Sequence, residues 1–389
     1  MKELGGNVLI LQMGKASAVT NVVLAALIKK ALNYDCIGEI YGCAGGVQGL
    51  LNNQLVDLAS QPQKNIANLV GTPGAALKSY NVGNFDAVKM MESLRRQNIR
   101  YFFVMGDHSA IEYCRSVDEA AKKTGYEMRI VVIPMASDNG IQLTDHCLGY
   151  GSMAKHLAVI AKTVLACVQS SQPNGVITIL EIGKCDNEWL LSALALTRGR
   201  RDSLDAPHIV VLSKFEEGAF VKNVHQTLRN VGNCVVVVGE KLTNLKGEKF
   251  VTQRRAAEHM EFIAKANFDV QVDLITLGDW ELTSPMTLSG TDVCEAELCA
   301  QKAVELAVTV GISGKMITIL RADGSKYSSE VGCVDLGNVS SGRKEFPEAW
   351  YSQDAMFPDI SFFKYSLPLI TGEARCAYEN GIPSFPQLK

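Results

Sequence analysis

The chain has 389 residues, 47% of them hydrophobic and 20% charged, with a formal net charge of −3. That length exceeds one typical hydrophobic core and points to about two lobes. The near-neutral charge excludes an electrostatic case for nucleic acid or an anionic membrane surface. No apolar run approaches the roughly 18 residues that a spanning helix needs.

The N-terminus, MKELGGNVLILQMG, runs straight into a strand-like segment, without the separate apolar region and cleavage site of a signal peptide. Short β-branched runs predict strands at Asn7–Leu11, Arg100–Val104, Arg129–Ile133, Gly175–Leu180, His208–Leu212, Cys234–Val238 and Lys315–Leu320. Between them, 3.6-residue periodicity predicts helices at Thr20–Ala31, Asp86–Gln97, Ser116–Thr124, Gly151–Val168, Asn187–Leu196, Glu217–Val231 and Thr291–Val310. This alternation predicts an α/β protein with mostly parallel sheets covered by helices. The loop from Leu242 to Phe250 and the tail after Arg321 read as excursions from the sheets. The eleven cysteines are scattered without a CxxC pair, the pattern of reduced, buried thiols in a cytoplasmic protein.

Eight segments, in order, carry a resemblance. They are Tyr41-Gly42 with Gly49-Leu50-Leu51 and Val56-Asp57-Leu58; Thr72-Pro-Gly-Ala-Ala-Leu77; Ile99-Arg-Tyr-Phe-Phe103; Thr144-Asp-His-Cys147; Gly149-Tyr-Gly-Ser152; Gly314-Lys-Met316; Pro347; and Trp350. Together they resemble the phosphofructokinase family, in particular its pyrophosphate-dependent branch, over nearly the whole length. The resemblance implies two Rossmann-like lobes with Asp138 at a cleft between them. The expected lobes are a donor-side lobe of 1–138 plus about 250–310, and a sugar-phosphate-side lobe of about 139–249 plus 311–389. It also implies Mg²⁺, a pyrophosphate or ATP donor and a cytoplasmic location. The expected assembly is a homo-oligomer, dimer or tetramer, or a hetero-oligomer with an active phosphofructokinase.

Phosphoryl transfer to a sugar hydroxyl needs a base, cations for the moving phosphoryl and donors for the phosphates. The family's loop looks like P-K-T-I-D-N-D, and here it reads Pro134-Met-Ala-Ser-Asp-Asn-Gly140. Asp138 matches the catalytic aspartate. Met135 replaces the lysine that meets donor phosphates, Ala136 the threonine near the sugar and Gly140 the second acid. Ser137 falls on the sugar-phosphate side. An aspartate in such a strand-end turn can equally serve the backbone, by accepting N–H groups.

On the donor side, Gly14 is kept but Lys15 stands where a second glycine belongs. The element Gly106-Asp107-His108-Ser109-Ala110 resembles G-G-(D or N)-D-S. An ungapped register puts His108 at the metal-associated position; a one-residue shift puts Asp107 there instead. Ser109 falls where the pyrophosphate branch carries Asp and the ATP branch Gly. Lys78 opens a segment that has lost an arginine. On the sugar-phosphate side, M-G-R becomes Gly183-Lys184-Cys185, L-P-E becomes Leu212-Ser213-Lys214, and Q-R becomes Glu281-Leu282. Arg343 replaces an acid, and Lys344 remains.

Segments that resemble the family's scaffold match, whereas those that resemble phosphate ligands mostly do not. The expectation is a phosphofructokinase homologue with a degraded active site, regulatory or structural in role. The alternative is an active phosphotransferase with an altered donor or a less anionic sugar-type acceptor, with Asp138 as base. His146, in a loop that matches the family, reads as structural.

Overall fold

The computed structural model describes residues 4–72, 74–79, 87–171, 175–183, 187–198, 205–248, 255–277, 285–374 and 376–388. The chain divides into two compact units. One comprises Met1–Ser152, Thr283–Lys344 and Gly372–Lys389; the other comprises Met153–Leu282 and Glu345–Thr371. The strands that build their sheets are, in chain order, β1 (Gly6–Gln12), β2 (Ile37–Cys43), β3 (Leu55–Asp57), β4 (Ile99–Gly106), β5 (Arg129–Pro134), β6 (Val176–Ile182), β7 (Ile209–Val211), β8 (Cys234–Val238), β9 (Gln271–Leu277), β10 (Lys315–Arg321) and β11 (Ser329–Asp335).

The first unit holds a seven-stranded sheet in the order β11-β10-β5-β4-β1-β2-β3. Its central pairs, β2 with β1, β1 with β4, β4 with β5 and β5 with β10, are parallel. The two edge pairs, β2–β3 and β10–β11, are antiparallel. Side chains alternate between the two faces, and both faces are buried, so the strands read as continuous apolar runs. Val8, Ile10, Tyr101, Phe103, Val131 and Ile133 pack with residues of the helices Thr20–Ala31 and Gly290–Glu305. Leu9, Leu11, Phe102, Val104, Ile130 and Val132 pack on the other face with residues of the helices Ala87–Arg96 and His108–Lys123.

The second unit holds a four-stranded, wholly parallel sheet in the order β7-β8-β6-β9. An aromatic cluster in this unit joins Trp189 to Phe346, Trp350 and Tyr365, with ring centroids 5.2, 5.9 and 5.4 Å apart.

The mostly parallel α/β architecture agrees with the strand–helix alternation in the sequence. The division of the chain differs from the expected one because strand pairing decides it. Residues after about 250 were expected with the first lobe, yet β9 pairs with β6 in the second sheet. Residues after 311 were expected with the second lobe, yet β10 and β11 complete the first sheet against β5. The tail after Arg321 is therefore not an excursion. β11 pairs with β10 along all seven of its residues. The strands that periodicity missed, β2, β3, β9 and β11, all carry half-buried or exposed positions and lack an apolar run.

The helix expected at Gly151–Val168 forms over Tyr150–Ser171. Within Tyr150–Ser171, the stretch Tyr150–Val168 is long and apolar enough to cross a membrane by composition, with a mean hydropathy of 1.3. It is 56% buried, and the core helix of a globular fold meets the same criterion.

Phe103 sits at the middle of β4 and is fully buried. Phe103→Ala should cost about 3–5 kcal/mol through lost burial and the cavity left behind. Urea denaturation followed by circular dichroism measures it; a loss below about 1 kcal/mol would contradict this packing.

Candidate active site

Three neighbouring parallel strands, β1, β4 and β5, end on the same edge of the first sheet. The order of connection reverses at β1, which has β2 on one side and β4 on the other. Crevices at such switch points are where open α/β sheets bind ligands. The segments leaving these strands are Met13-Gly14-Lys15, Asp107-His108-Ser109 and Met135-to-Gly140, so the sequence candidates of this unit gather at one end of one sheet.

Gly14 and Gly106 make a close approach possible. Gly14 has φ +74°, and a Cβ there would lie 2.4 Å from an Asp107 carboxylate oxygen. A Cβ on Gly106 would lie 2.6 Å from the Met13 carbonyl oxygen. The Ser79 hydroxyl donates to the Gly14 carbonyl, which ties the loop carrying Lys78 to the same turn. Lys78 itself adopts φ +57°, and both Lys78 and Lys15 are exposed. Asn21 is buried and fastens the neighbouring loop. Its amide donates to the Thr72 carbonyl at 2.7 Å, and its oxygen accepts from the Ala76 N–H at 2.9 Å.

Asp107 is the N-cap of the helix His108–Lys123. Its Oδ1 accepts from the Ser109 N–H at 3.0 Å and the Ser109 hydroxyl at 2.6 Å. A helix that begins with an oxygen acceptor satisfies one of its orphan N–H donors. This explains why the helix starts eight residues before the expected Ser116. It also limits Asp107 as a metal ligand, because one oxygen is committed and the other faces Gly14. Among the described residues no group of three or more His, Cys, Asp or Glu side chains is placed to hold a metal. Mg²⁺ prefers oxygen ligands in octahedral array, so the neighbouring His108 is a poor substitute. Among the described residues, none forms a dedicated Mg²⁺ site.

The loop after β5 is held rigidly. The Met135 N–H donates to the Gly106 carbonyl at 2.8 Å, and the Ala136 N–H to the Leu148 carbonyl at 3.2 Å. Met135 is 3% exposed and packs in the core with Leu148 and Met105. Asn139, at φ +55°, accepts from the Cys147 N–H at 3.0 Å. Asp138 keeps 32% side-chain exposure. Its Oδ1 accepts from the Gly140 N–H at 3.1 Å, and its Oδ2 is paired with the Arg343 guanidinium. Arg343 was read in the sequence only as a lost acid. Its pairing with a residue 205 positions earlier could not be seen without the fold. Ser137 lies beside Gly149, where a Cβ would come 3.5 Å from its hydroxyl.

Lys344 does not present a free ammonium. It is partly buried, its Nζ donates to the carbonyls of Thr144 and Asp145, and burial pulls its pKa down. Gly183 and Lys214 belong to the second unit. The Gly183 N–H bonds the Leu277 carbonyl at 2.8 Å, and Lys214 lies 3.7 Å from Glu348 on the surface. Lys184, Cys185, Glu281 and Leu282 lie outside the described residues.

A buried charge network underlies this loop. The His146 imidazole is 1% exposed; its Nδ1 lies 2.9 Å from Asp145 and its Nε2 2.7 Å from Glu295. Glu295 also accepts from the hydroxyls of Tyr327 and Ser329, and Arg321 binds Asp145 at 3.1 Å. Burial alone would lower the His146 pKa, but bonding to two carboxylates raises it above its ordinary 6.5. Burial would raise Asp145, but hydrogen bonds from His146 and Arg321 bring it down to about 2. Burial would likewise raise Glu295, yet the bond from His146 carries it below its ordinary 4.5. When protonated, His146 can donate one N–H to each carboxylate, the arrangement of a structural histidine.

These shifts fix the sign of a pH dependence. The His146 contribution is fully present below pH 6.5 and is lost as pH rises through its raised folded value. The carboxylate contributions are present above their ordinary values of 3.8 and 4.5 and are lost on acidification, for Asp145 through about 2. Wild-type stability relative to His146→Gln should therefore be greatest between about pH 5 and 6.5 and shrink above it. Denaturant midpoints measured from pH 4 to 9 test this; a difference that grows with pH would be the wrong sign.

Comparison with known proteins bears on the family and the fold. The phosphofructokinase family profile matches residues 7–307. A pyrophosphate–fructose 6-phosphate 1-phosphotransferase of Xanthomonas campestris pv. campestris is 28% identical, over 99% of this chain and 96% of that protein. The crystal structure of a pyrophosphate-dependent phosphofructokinase from Marinobacter aquaeolei superposes with a TM-score of 0.89 at 26% identity, covering 99% of this chain and 96% of that one. A sulfofructose kinase of Alkalicoccus urumqiensis is 25% identical over 85% of this chain and 88% of that protein. With the profile spanning most of the sequence and a two-sheet α/β fold to match, the chain belongs to the phosphofructokinase family.

Proposed function

We propose that this chain is a pyrophosphate-type phosphofructokinase homologue that has given up phosphoryl transfer to fructose 6-phosphate. It acts as a regulatory or structural member of the family, as a homo-oligomer or beside an active phosphofructokinase. The observation that carries the reading is Met135. At the position where the family resemblance calls for a lysine against the donor phosphates, an apolar side chain points into the core, 3% exposed. Removing one preorganised charge-stabilising donor costs about 10²- to 10³-fold in rate. The other departures point the same way. Asp107 is committed to capping a helix, Lys344 to backbone carbonyls, and the Asp138 carboxylate to Arg343.

Purified protein with fructose 6-phosphate, Mg²⁺ and either pyrophosphate or ATP should show no appreciable turnover in a coupled assay. Turnover near one per second, within the ordinary range of kinases and abolished by Asp138→Ala, would refute the reading.

A second reading, an active phosphotransferase with a different acceptor, is favoured by two specific observations. Asp138 survives with its carboxylate oriented by the Gly140 N–H, and one relative is named for sulfofructose rather than fructose 6-phosphate. Mg²⁺ would then be held largely by the donor's own phosphate oxygens, since the protein offers few. On this reading a screen of sugars, polyols and nucleosides with pyrophosphate and ATP yields an activity. Asp138→Asn should reduce it about 10²- to 10⁴-fold. Silence across the panel leaves the non-catalytic role.

A further inference from the structure

Gly140 lies beside the Asp138–Arg343 pair. A Cβ placed on Gly140 would lie 3.0 Å from Asp138 Oδ1, and 3.4 and 3.5 Å from Arg343 Nε and Nη2. A Cβ at 140 would be tight against the Asp138 carboxylate alone, which would have to shift by a few tenths of an ångström, and would meet the guanidinium at ordinary contact distance. The backbone pins both segments in this register. The Lys344 N–H donates to the Gly140 carbonyl at 2.8 Å, and the Gln142 amide donates to the Arg343 carbonyl at 3.3 Å. The guanidinium is thus delivered to Asp138 by a segment hydrogen-bonded to the loop after β5.

We propose that Arg343 is an oxyanion-binding residue that Asp138 occupies when no ligand is present, so that a phosphate or pyrophosphate group binds by taking the guanidinium from the carboxylate. Three features support it. Arg343 is 59% exposed, so an anion can reach it from solvent. Among the described residues its guanidinium pairs with Asp138 alone. A guanidinium has five N–H donors in a planar fork suited to two oxygens at once, and a single carboxylate leaves part of that fork open. Asp138 then acts as a built-in competitor, setting a threshold concentration of oxyanion below which the pair stays closed. The inference rests on the non-catalytic reading above and names the ligand class that such a protein would sense.

The sign of the competition makes it testable with ligand binding alone. Isothermal titration calorimetry with sodium pyrophosphate, and separately with inorganic phosphate, is compared for wild type, Arg343→Gln, Arg343→Lys and Asp138→Asn. Circular dichroism of each variant verifies folding. Wild type should bind pyrophosphate, and Arg343→Gln should lose about 10-fold or more in affinity, the usual effect of losing a charge-assisted hydrogen bond. Arg343→Lys should recover only part of it, since an ammonium lacks the fork. Asp138→Asn should bind several-fold more tightly than wild type, because both the competitor and a like charge are gone. The inference is overturned if wild type does not bind, if Arg343→Gln binds as wild type does, or if Asp138→Asn binds no better. Each of these leaves the turnover reading standing. Turnover on fructose 6-phosphate would overturn that reading whatever the titrations show.

Discussion

Parallel pairing of β1 with β4 and of β4 with β5 is the constraint on which this site depends. Parallel strands end on the same edge of a sheet, so three loops far apart in sequence emerge side by side. The close approach of the first two is possible because Gly14 and Gly106 lack side chains. A single Cβ at either would collide with the Asp107 carboxylate or the Met13 carbonyl. The third loop is tied to the second by the bond from the Met135 N–H to Gly106. Site geometry thus depends on the sheet together with the missing side chains at Gly14 and Gly106.

Charge at this edge is arranged for internal satisfaction. A phosphate-transfer site keeps its cations and carboxylates poised for a ligand, with few partners of their own. Here Asp107 serves the helix behind it, Lys344 serves two carbonyls, and Asp138 is matched by Arg343. Each of these groups has an internal partner in the fold. The exposed Lys15 and Lys78 stand apart from this pattern, and with Arg343 they are the cationic groups on the donor-side and loop segments that remain accessible.

Below the site, the Asp145–His146–Glu295 chain joins the loop after β5 to the helix Gly290–Glu305 and to β11. A buried imidazolium between two carboxylates is costly if one partner is removed, because an uncompensated charge remains. The same helix contributes Asp292, which accepts from the Gly149 and Ser152 N–H groups at 2.9 Å each. These bonds and the His146 network fasten the segments Thr144–Cys147 and Gly149–Ser152, which resemble the family in sequence. They hold a backbone path, and a path of this kind constrains sequence whether or not chemistry takes place beside it.

Much of the fold is legible in the chain itself. The helices Thr20–Ala31 and Glu217–Val231 have the bounds that periodicity predicts, and the central strands announce themselves as apolar runs because both their faces are buried. The order of motifs points to the family, and the loss of lysine at Met135 and of acid at Gly140 is visible residue by residue. Edge strands were harder, since β9 and β11 carry polar residues and owe their position to hydrogen bonds with a neighbour. The division of the chain followed from them and could not be read locally. Asp107 looked like a ligand because an N-cap and a metal ligand demand the same oxygen, and only the helix behind it distinguishes them. Arg343 looked like a simple loss. That it faces Asp138 depends on a contact between positions 205 residues apart. Local sequence determines propensity and burial pattern, whereas the pairing of charges depends on distances that exist only once the sheet has formed.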